Sequence, residues 1–96
     1  MELRVIGLKI KQSDIDFLKI LKSYNKNYDK VINQMADECG NKILNVSDFS
    51  YERLRRFPIR MYEDTIVKLD LLSQKYEMSR SETLRRLIKA KANKLC

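Results

Sequence analysis

The sequence predicts a mainly α-helical fold with two short β-strands, one in each half of the chain. Two short segments alternate apolar and polar side chains, as half-buried strands do. Each segment is followed by two stretches whose apolar residues recur at spacings of three and four, the period of an amphipathic helix. The order strand, helix, turn, helix therefore occurs twice in 96 residues.

The strand of the second half spans residues 55–61 and reads "RRFPIRM". Its apolar face consists of Phe57, Ile59 and Met61. Arg56 and Arg60 alternate with them, and Pro58 lies at the centre, where a strand normally needs its N–H. In a two-stranded ribbon every second N–H points away from the partner strand, so Pro58 fits if the apolar residues hold the hydrogen-bonded positions.

Two helices follow this strand. The first is expected over residues 63–76, with one apolar face formed by Ile66, Leu69, Leu72 and Tyr76. The second begins at "SRSE", where Ser79 is expected to cap the backbone and Glu82 to reach back in a reciprocal capping box. Its buried face is expected to contain Leu84, Leu87 and Ile88.

The first half matches this pattern at a separation of 51 residues, which becomes 52 after the turn between the helices. Ser13 is the predicted start of its first helix, and Asn27 falls on the cap position of Ser79. The matching apolar residues, also expected in the core, are Ile6, Leu8, Ile10, Ile15, Leu18, Leu21, Ile32 and Met35. Any two amphipathic segments align loosely, but a single one-residue gap that keeps every element in register favours an internal repeat.

The predicted organisation is a first repeat over residues 1–43, a linker over 44–54 and a second repeat over 55–96, with both repeats forming one fold unit. The linker can extend over roughly 35 Å at about 3.3 Å per residue. A chain this short buries little surface by itself, so self-association as a homodimer or a higher oligomer is expected.

The charge balance indicates an anionic partner. The net charge is +7, of which residues 1–46 carry +2 and residues 47–96 carry +5. Nucleic acid is the first expectation, ahead of a membrane surface, and the alternative is a basic domain without such a partner.

Other classes of function have little support in the sequence. No apolar stretch is long enough to span a bilayer and the N-terminus does not resemble a signal peptide, so we expect a cytoplasmic protein, in the host cytoplasm if it is viral. Cys39 and Cys96 are expected to be buried or idle thiols, because no CxxC spacing and no histidine accompany them. The absence of histidine and the presence of only two glycines also argue against an enzyme, a metal, a cofactor or a small-molecule substrate.

Residues 56–88, "RFPIRMYEDTIVKLDLLSQKYEMSRSETLRRLI", resemble the ribbon-helix-helix family of DNA-binding repressors, which includes Arc and MetJ. Residues 5–39 resemble it more weakly, because "NYDK" replaces "SRSE" and Gly7 interrupts the strand. The resemblance implies a tandem, pseudo-two-fold fold, mainly α with a short two-stranded antiparallel β-ribbon that enters the major groove. Tandem members are known among conjugative-plasmid relaxosome proteins and viral regulators.

The resemblance also assigns site residues. The side chains facing the bases would be Arg56, Pro58 and Arg60 from one strand and Val5, Gly7 and Lys9 from the other. Arginine matches guanine O6 and N7 with its planar fork, while lysine is a point donor. Val5, Gly7 and Pro58 offer no side-chain hydrogen bond, so the base contacts would be few and asymmetric, and a non-palindromic subsite is expected. The alternative for Arg56, Arg60 and Lys9 is a solvated strand face.

The phosphate contacts are expected at the start of the second helix of each repeat, where free N–H groups and the helix dipole favour an anion. These residues are Ser79, Arg80 and Ser81 in one repeat and Asn27 and Tyr28 in the other, with Arg53 and Arg55 leading into the strand. Ser79 has an alternative as a simple helix cap. Of Arg85 and Arg86, one is expected on a solvated face and the other against an acidic residue of the other repeat.

The predicted function is a sequence-specific transcriptional regulator or repressor that binds double-stranded DNA at adjacent subsites cooperatively. Two alternatives remain open. One is a relaxosome-type accessory protein of a conjugative element, and the other is an antitoxin-like protein-interaction module.

Overall fold

The computed structural model describes residues 3–47 and 49–96. The strand β1 spans Arg4–Ile10 and is followed by α1 (Gln12–Asn25) and α2 (Tyr28–Cys39). A 3₁₀ helix over Gly40–Asn45 then leads through the linker to β2 (Arg55–Met61), α3 (Glu63–Lys75) and α4 (Arg80–Ala92). The prediction of a mainly helical chain with a two-stranded antiparallel sheet is confirmed. The 3₁₀ helix crosses the predicted boundary between residues 43 and 44.

The ribbon register places Gly7 opposite Pro58 at the centre of the pair. The backbone N–H of Lys9 donates to Ser81 Oγ at 3.0 Å, so it points away from β2. Because strand N–H groups alternate in direction, Gly7 and its partner Pro58 also lie at a position without a ladder hydrogen bond. The missing N–H of Pro58 therefore costs the ribbon nothing, and β1 runs through Gly7 without interruption.

Helices α2 and α4 begin where the sequence predicts. Asn27 Oδ1 accepts the Lys30 N–H at 2.9 Å, and Ser79 Oγ accepts the Glu82 N–H at 3.1 Å. The prediction that the Glu82 side chain reaches back to the backbone of Ser79 is wrong, because the Glu82 carboxylate is instead paired with Arg86 at 3.0 Å. One helical turn brings these two side chains together, and their opposite charges attract.

The predicted start of α1 at Ser13 is also wrong. The cap residue is Lys11, whose N–H donates to Asp14 Oδ2 at 3.0 Å. The Ser13 N–H is taken by Glu52 of the linker at 3.1 Å, so a contact from distant sequence replaces a local cap. Burial raises the pKa of Asp14 above its ordinary value of 3.8, against the hydrogen bond and the charge of Lys11.

The core forms between the ribbon and the four helices. Most of the predicted apolar residues are fully buried, namely Leu8, Ile10, Ile15, Leu18, Ile32, Met35, Ile59, Met61, Ile66, Leu69, Leu84, Leu87 and Ile88. Ile6, Leu21, Phe57, Leu72 and Tyr76 are partly buried against them. Six further residues complete the buried core, although the predicted apolar faces did not include them: Val31, Ala36, Cys39, Ile43, Val46 and Ala90.

The two halves of the chain pack through each other. Helix α4 lies against β1 and α1, and α2 lies against β2 and α3. Each half therefore places its second helix on the strand and first helix of the other half. Neither half could keep its apolar face buried alone, because the contacts that cover it come from the other half.

The expectation of free thiols is wrong, because Cys39 and Cys96 form a disulfide. Helix α4 ends at Ala92, and Lys94, with a φ of 58°, reverses the chain so that the Leu95 N–H returns to the Ala90 carbonyl at 3.0 Å. This reversal brings the Cα of Cys96 to 5.3 Å from that of Cys39, within the range of about 4.4–6.8 Å that a disulfide spans. A sequence separation of 57 residues gave no sign of this proximity.

Across residues 3–47 and 49–96, none of the helices has both the length and the apolar character needed to cross a membrane.

Candidate nucleic-acid interface

The outer face of the ribbon carries every residue that the sequence assigned to base contact. Val5, Gly7, Lys9, Arg56, Pro58 and Arg60 are all exposed there, while the alternate apolar residues face the core, namely Ile6, Leu8, Ile10, Phe57, Ile59 and Met61. Val5 is 61% exposed. The pleat of the two strands therefore separates a buried apolar face from a basic outer face.

The cations of this face are free of ionic partners. Within the described part of the chain, the side chains of Lys9, Arg56 and Arg60 make no hydrogen bond and no salt bridge. Most other arginines are engaged: Arg4 with Glu63, Arg80 with Asp70 and Arg86 with Glu82. A cation that no protein group neutralises is available to an anion or to a hydrogen-bond acceptor from outside.

The register distributes these cations unevenly. Lys9 lies directly opposite Arg56, whereas Arg60 lies opposite Val5. One end of the ribbon thus pairs two cations and the other pairs a cation with an apolar side chain. The two ends differ in charge and in hydrogen-bonding capacity.

The N-terminus of α4 lies beside β1. Ser79 caps the helix, and Ser81 Oγ accepts the Lys9 backbone N–H. The Arg80 guanidinium is paired with both carboxylate oxygens of Asp70, at 2.7 and 2.9 Å, and these hydrogen bonds raise the pKa of Arg80 above its ordinary value. All three side chains assigned to phosphate contact are therefore held by the protein. Because Ser79 takes the Glu82 N–H, the backbone N–H groups of Arg80 and Ser81 remain as donors at this point.

The N-terminus of α2 lies beside β2. The Tyr28 ring packs edge-on against Phe57, with 5.6 Å between centroids, and the Lys22 ammonium lies 4.6 Å from the Tyr28 ring centroid. An open groove of about 400 Å³ separates this helix start from the outer face of β2, with Pro58 and Arg60 on the strand side.

Sequence reasoning missed four residues of this groove: Leu3, Lys22, Asp29 and Tyr62. The signal for Lys22 was present in the cationic run "KSYNKNYDK", which leads into α2. Asp29 Oδ1 accepts the Tyr62 N–H at 2.8 Å and so ties the start of α2 to the end of β2. The groove is therefore lined by two cations, Lys22 and Arg60, and by one carboxylate, which Tyr62 holds.

The residues before β2 divide into two roles. Arg55 donates to Gln12 Oε1 and joins the linker to α1, while Arg53 is exposed and has no hydrogen bond or ion pair among the described residues. Glu52 accepts the Ser13 N–H, and hydrogen bonding from the Ser13 side chain first and from this N–H second lowers the pKa of Glu52 below its ordinary value of 4.5. Arg53 is thus the free cation of a segment that Glu52 and Arg55 fix to α1.

Arg85 and Arg86 support the fold. Arg85 donates to the Lys9 carbonyl oxygen at 2.7 Å, beside the hydrogen bond of Ser81, so α4 holds both backbone groups of Lys9. Arg86 donates to the carbonyl oxygens of Ile43 and Val46 at 3.1 and 2.8 Å. The acidic partner of Arg86, Glu82, lies on the same helix and not in the other repeat, where the sequence reasoning expected it.

Within residues 3–47 and 49–96, no group of three or more histidine, cysteine, aspartate or glutamate side chains is arranged to hold a metal ion.

Comparison with known proteins gives one full-length relative. The chain is 33% identical over 96 residues, covering 100% of both sequences, to "Uncharacterized protein 29" of Sulfolobus islandicus filamentous virus (isolate Iceland/Hveragerdi). No protein-family model matches the chain. No solved structure matches it.

Proposed function

The chain belongs to the family of uncharacterized protein 29 of Sulfolobus islandicus filamentous virus, and we propose that it is a viral, sequence-specific double-stranded DNA-binding protein that regulates transcription. One observation carries the proposal: Lys9, Arg56 and Arg60 lie without ionic partners, within the described residues, on the outer face of a two-stranded ribbon. The start of one helix lies beside each strand of that ribbon.

The two-stranded form of this face suits the DNA major groove. That groove is about 12 Å wide and admits a two-stranded β-ribbon. Arg56 and Arg60 would each donate a fork of N–H groups to guanine O6 and N7, while Lys9 would donate to a single acceptor. Val5 would contact a thymine methyl group, since it is the exposed apolar side chain beside Arg60.

The helix starts flanking the ribbon would position the phosphates. Free backbone N–H groups and the positive end of the helix dipole favour an anion at α2 and α4. Lys22 and Arg53 would add charge at the two sides. Phosphate contacts of this kind supply affinity that falls with salt but carry no sequence information.

In this proposal the fold is a tandem ribbon-helix-helix unit with a pseudo-two-fold axis. The register supports it, because residues 51 apart in sequence occupy equivalent places on the ribbon. Gly7 pairs with its own equivalent, Pro58, and the pair Val5–Arg60 is equivalent to the pair Arg56–Lys9. The axis would pass between Gly7 and Pro58.

Such a unit covers only a few base pairs, so several chains would occupy adjacent subsites cooperatively in the cytoplasm of the host cell. Each subsite would be non-palindromic, because the two strands present different side chains. An accessory protein for DNA transfer would use the same binding chemistry at a different DNA site. A binding site next to a promoter would indicate transcriptional regulation, and a site away from promoters would indicate the accessory role.

Footprinting tests the proposal. The DNA upstream of the gene for this protein is the probe, and an unrelated duplex of equal length is the control. We expect one discrete protected segment and an affinity whose logarithm falls linearly with the logarithm of salt concentration. Equal protection of both duplexes along their whole length would reject sequence-specific regulation.

A further inference from the structure

The guanidinium of Arg56 lies over Gly7, on the neighbouring strand. A Cβ atom built on Gly7 would come to 2.8 Å from Cζ and Nη2 of Arg56 and closer still to Nε, with no other atoms among its three nearest neighbours. Carbon atoms at such a distance overlap, so the side chain of Arg56 occupies the space that any other residue at position 7 would need. Arg56 is not anchored there by an ion pair with any described residue.

Two features direct Arg56 to this place. Lys9 is its direct cross-strand partner, and like charges that face each other on a sheet repel. Gly7 is its diagonal neighbour, within reach of a long side chain, and it presents no side chain. Arg56 therefore leans away from Lys9 and toward the centre of the ribbon.

The equivalent arrangement is absent from the other side of the ribbon. The residue equivalent to Gly7 on the other strand is Pro58, and the residue equivalent to Arg56 is Val5. One arginine thus reaches the centre, from one strand. The outer face presents a row of three cations, with Lys9 at one end, Arg56 at the centre and Arg60 at the other end.

We infer that Gly7 is a specificity-determining residue, which seats Arg56 over the centre of the ribbon so that Arg56 reads the central base pair of each subsite; this inference rests on the proposed function. The preferred DNA is a non-palindromic subsite with guanine at its centre and a second guanine, read by Arg60, toward one end. Gly7 acts through Arg56 and is a positioning residue.

The first test needs no DNA. In the free protein, nuclear magnetic resonance should show an Overhauser contact between Gly7 Hα and the δ or ε protons of Arg56. Its absence would overturn the inference. The φ of Gly7 is not positive, so Gly7→Ala keeps an ordinary strand backbone and should leave thermal unfolding unchanged.

The second test measures binding to all single-base variants of the protected subsite for wild type, Gly7→Ala, Arg56→Ala and the double variant. Gly7→Ala should lower the preference for the central guanine by about tenfold or more, as expected when a bidentate contact is displaced. In the Arg56→Ala background the same substitution should change nothing. That double variant is the matched control, because a methyl group that collided with DNA directly would act in both backgrounds.

The inference would be overturned if Gly7→Ala kept the base preferences of wild type, or if Gly7→Ala still changed them in the Arg56→Ala background. Either result would leave the proposed function standing. Equal binding of wild type to all duplexes would overturn both. The Overhauser contact reports the position of Arg56 independently of DNA. It therefore shows whether the arrangement of Arg56 and Gly7 is also wrong when the proposed function fails.

Discussion

Removal of the disulfide by Cys96→Ser should destabilise the fold strongly. The bond joins residues separated by 57 positions and connects the end of α2 to the end of the chain. It therefore links the first half of the protein covalently to the second. Cys39 is fully buried and Cys96 is exposed, so Cys96 is the position where serine causes the smaller change in packing.

The expected magnitude follows from the length of the closed loop. Constraining a loop of this length in the unfolded chain is worth about 4 kcal/mol at 25 °C in the chain-entropy model. For a domain of this size, each kcal/mol shifts the melting temperature by roughly 4–8 °C, so a decrease of roughly 16–32 °C is expected.

Chemical and thermal unfolding of oxidised protein, with and without a reducing agent, is the assay. The variant should match reduced wild type, and reducing agent should have no effect on the variant. Thiol alkylation followed by mass spectrometry establishes the oxidation state of each sample. Oxidised wild type and Cys96→Ser with equal stability would refute the reasoning.

Three further predictions concern single side chains. Ser79→Ala removes the cap of α4 and should cost about 1 kcal/mol of unfolding free energy, measured by denaturant titration; an unchanged midpoint would contradict the capping role. Arg86→Ala leaves two carbonyl oxygens next to the 3₁₀ helix without their donor and should cost about 2 kcal/mol, whereas the exposed Lys19→Ala should be nearly neutral in the same titration. The pKa of Glu52 is lowered in the folded state, so its contribution to stability is present above its ordinary pKa of 4.5 and is lost as the pH falls through the folded pKa. The melting temperatures of wild type and Glu52→Gln should therefore differ most near neutral pH and converge below 4.5, and a constant difference would exclude this linkage.

The elements of the fold were predictable because their signals are local. Alternation in "RRFPIRM" defined β2, its inward face and its outward face, and the position of Pro58 constrained which N–H groups pair. The spacing of apolar residues located the four helices. Most of the predicted core is buried, since a stripe of apolar residues on a helix must face the interior of a domain this small.

The features that escaped prediction depend on distant contacts. Ser13 is a better cap residue than Lys11 by its chemistry, but Glu52 reaches its N–H from the linker, and the helix begins earlier. Arg80 has the charge for a phosphate contact, yet Asp70 on the preceding helix takes both arms of its guanidinium. The first contact forms only when the linker packs against α1, and the second only when the turn between α3 and α4 brings Asp70 to Arg80.

The candidate site shows the same division. The strand alternation alone placed Lys9, Arg56 and Arg60 on one exposed face. The position of Arg56 over Gly7 required the structure, because the strand pattern does not tell toward which diagonal neighbour a long side chain leans. Local chemistry thus located the face, and pairing of the strands arranged the side chains on it.

The central claim is that the outer face of the ribbon reads DNA sequence, and the most direct measurement compares Arg60→Ala with Lys19→Ala, a charge-matched variant on the exposed side of α1. Affinities are measured at one salt concentration for the protected subsite and for an unrelated duplex. Arg60→Ala should lower the ratio of these affinities by about tenfold or more, as the loss of a bidentate arginine contact does, while Lys19→Ala should leave the ratio unchanged. An equal loss of affinity for both duplexes in Arg60→Ala would contradict the account.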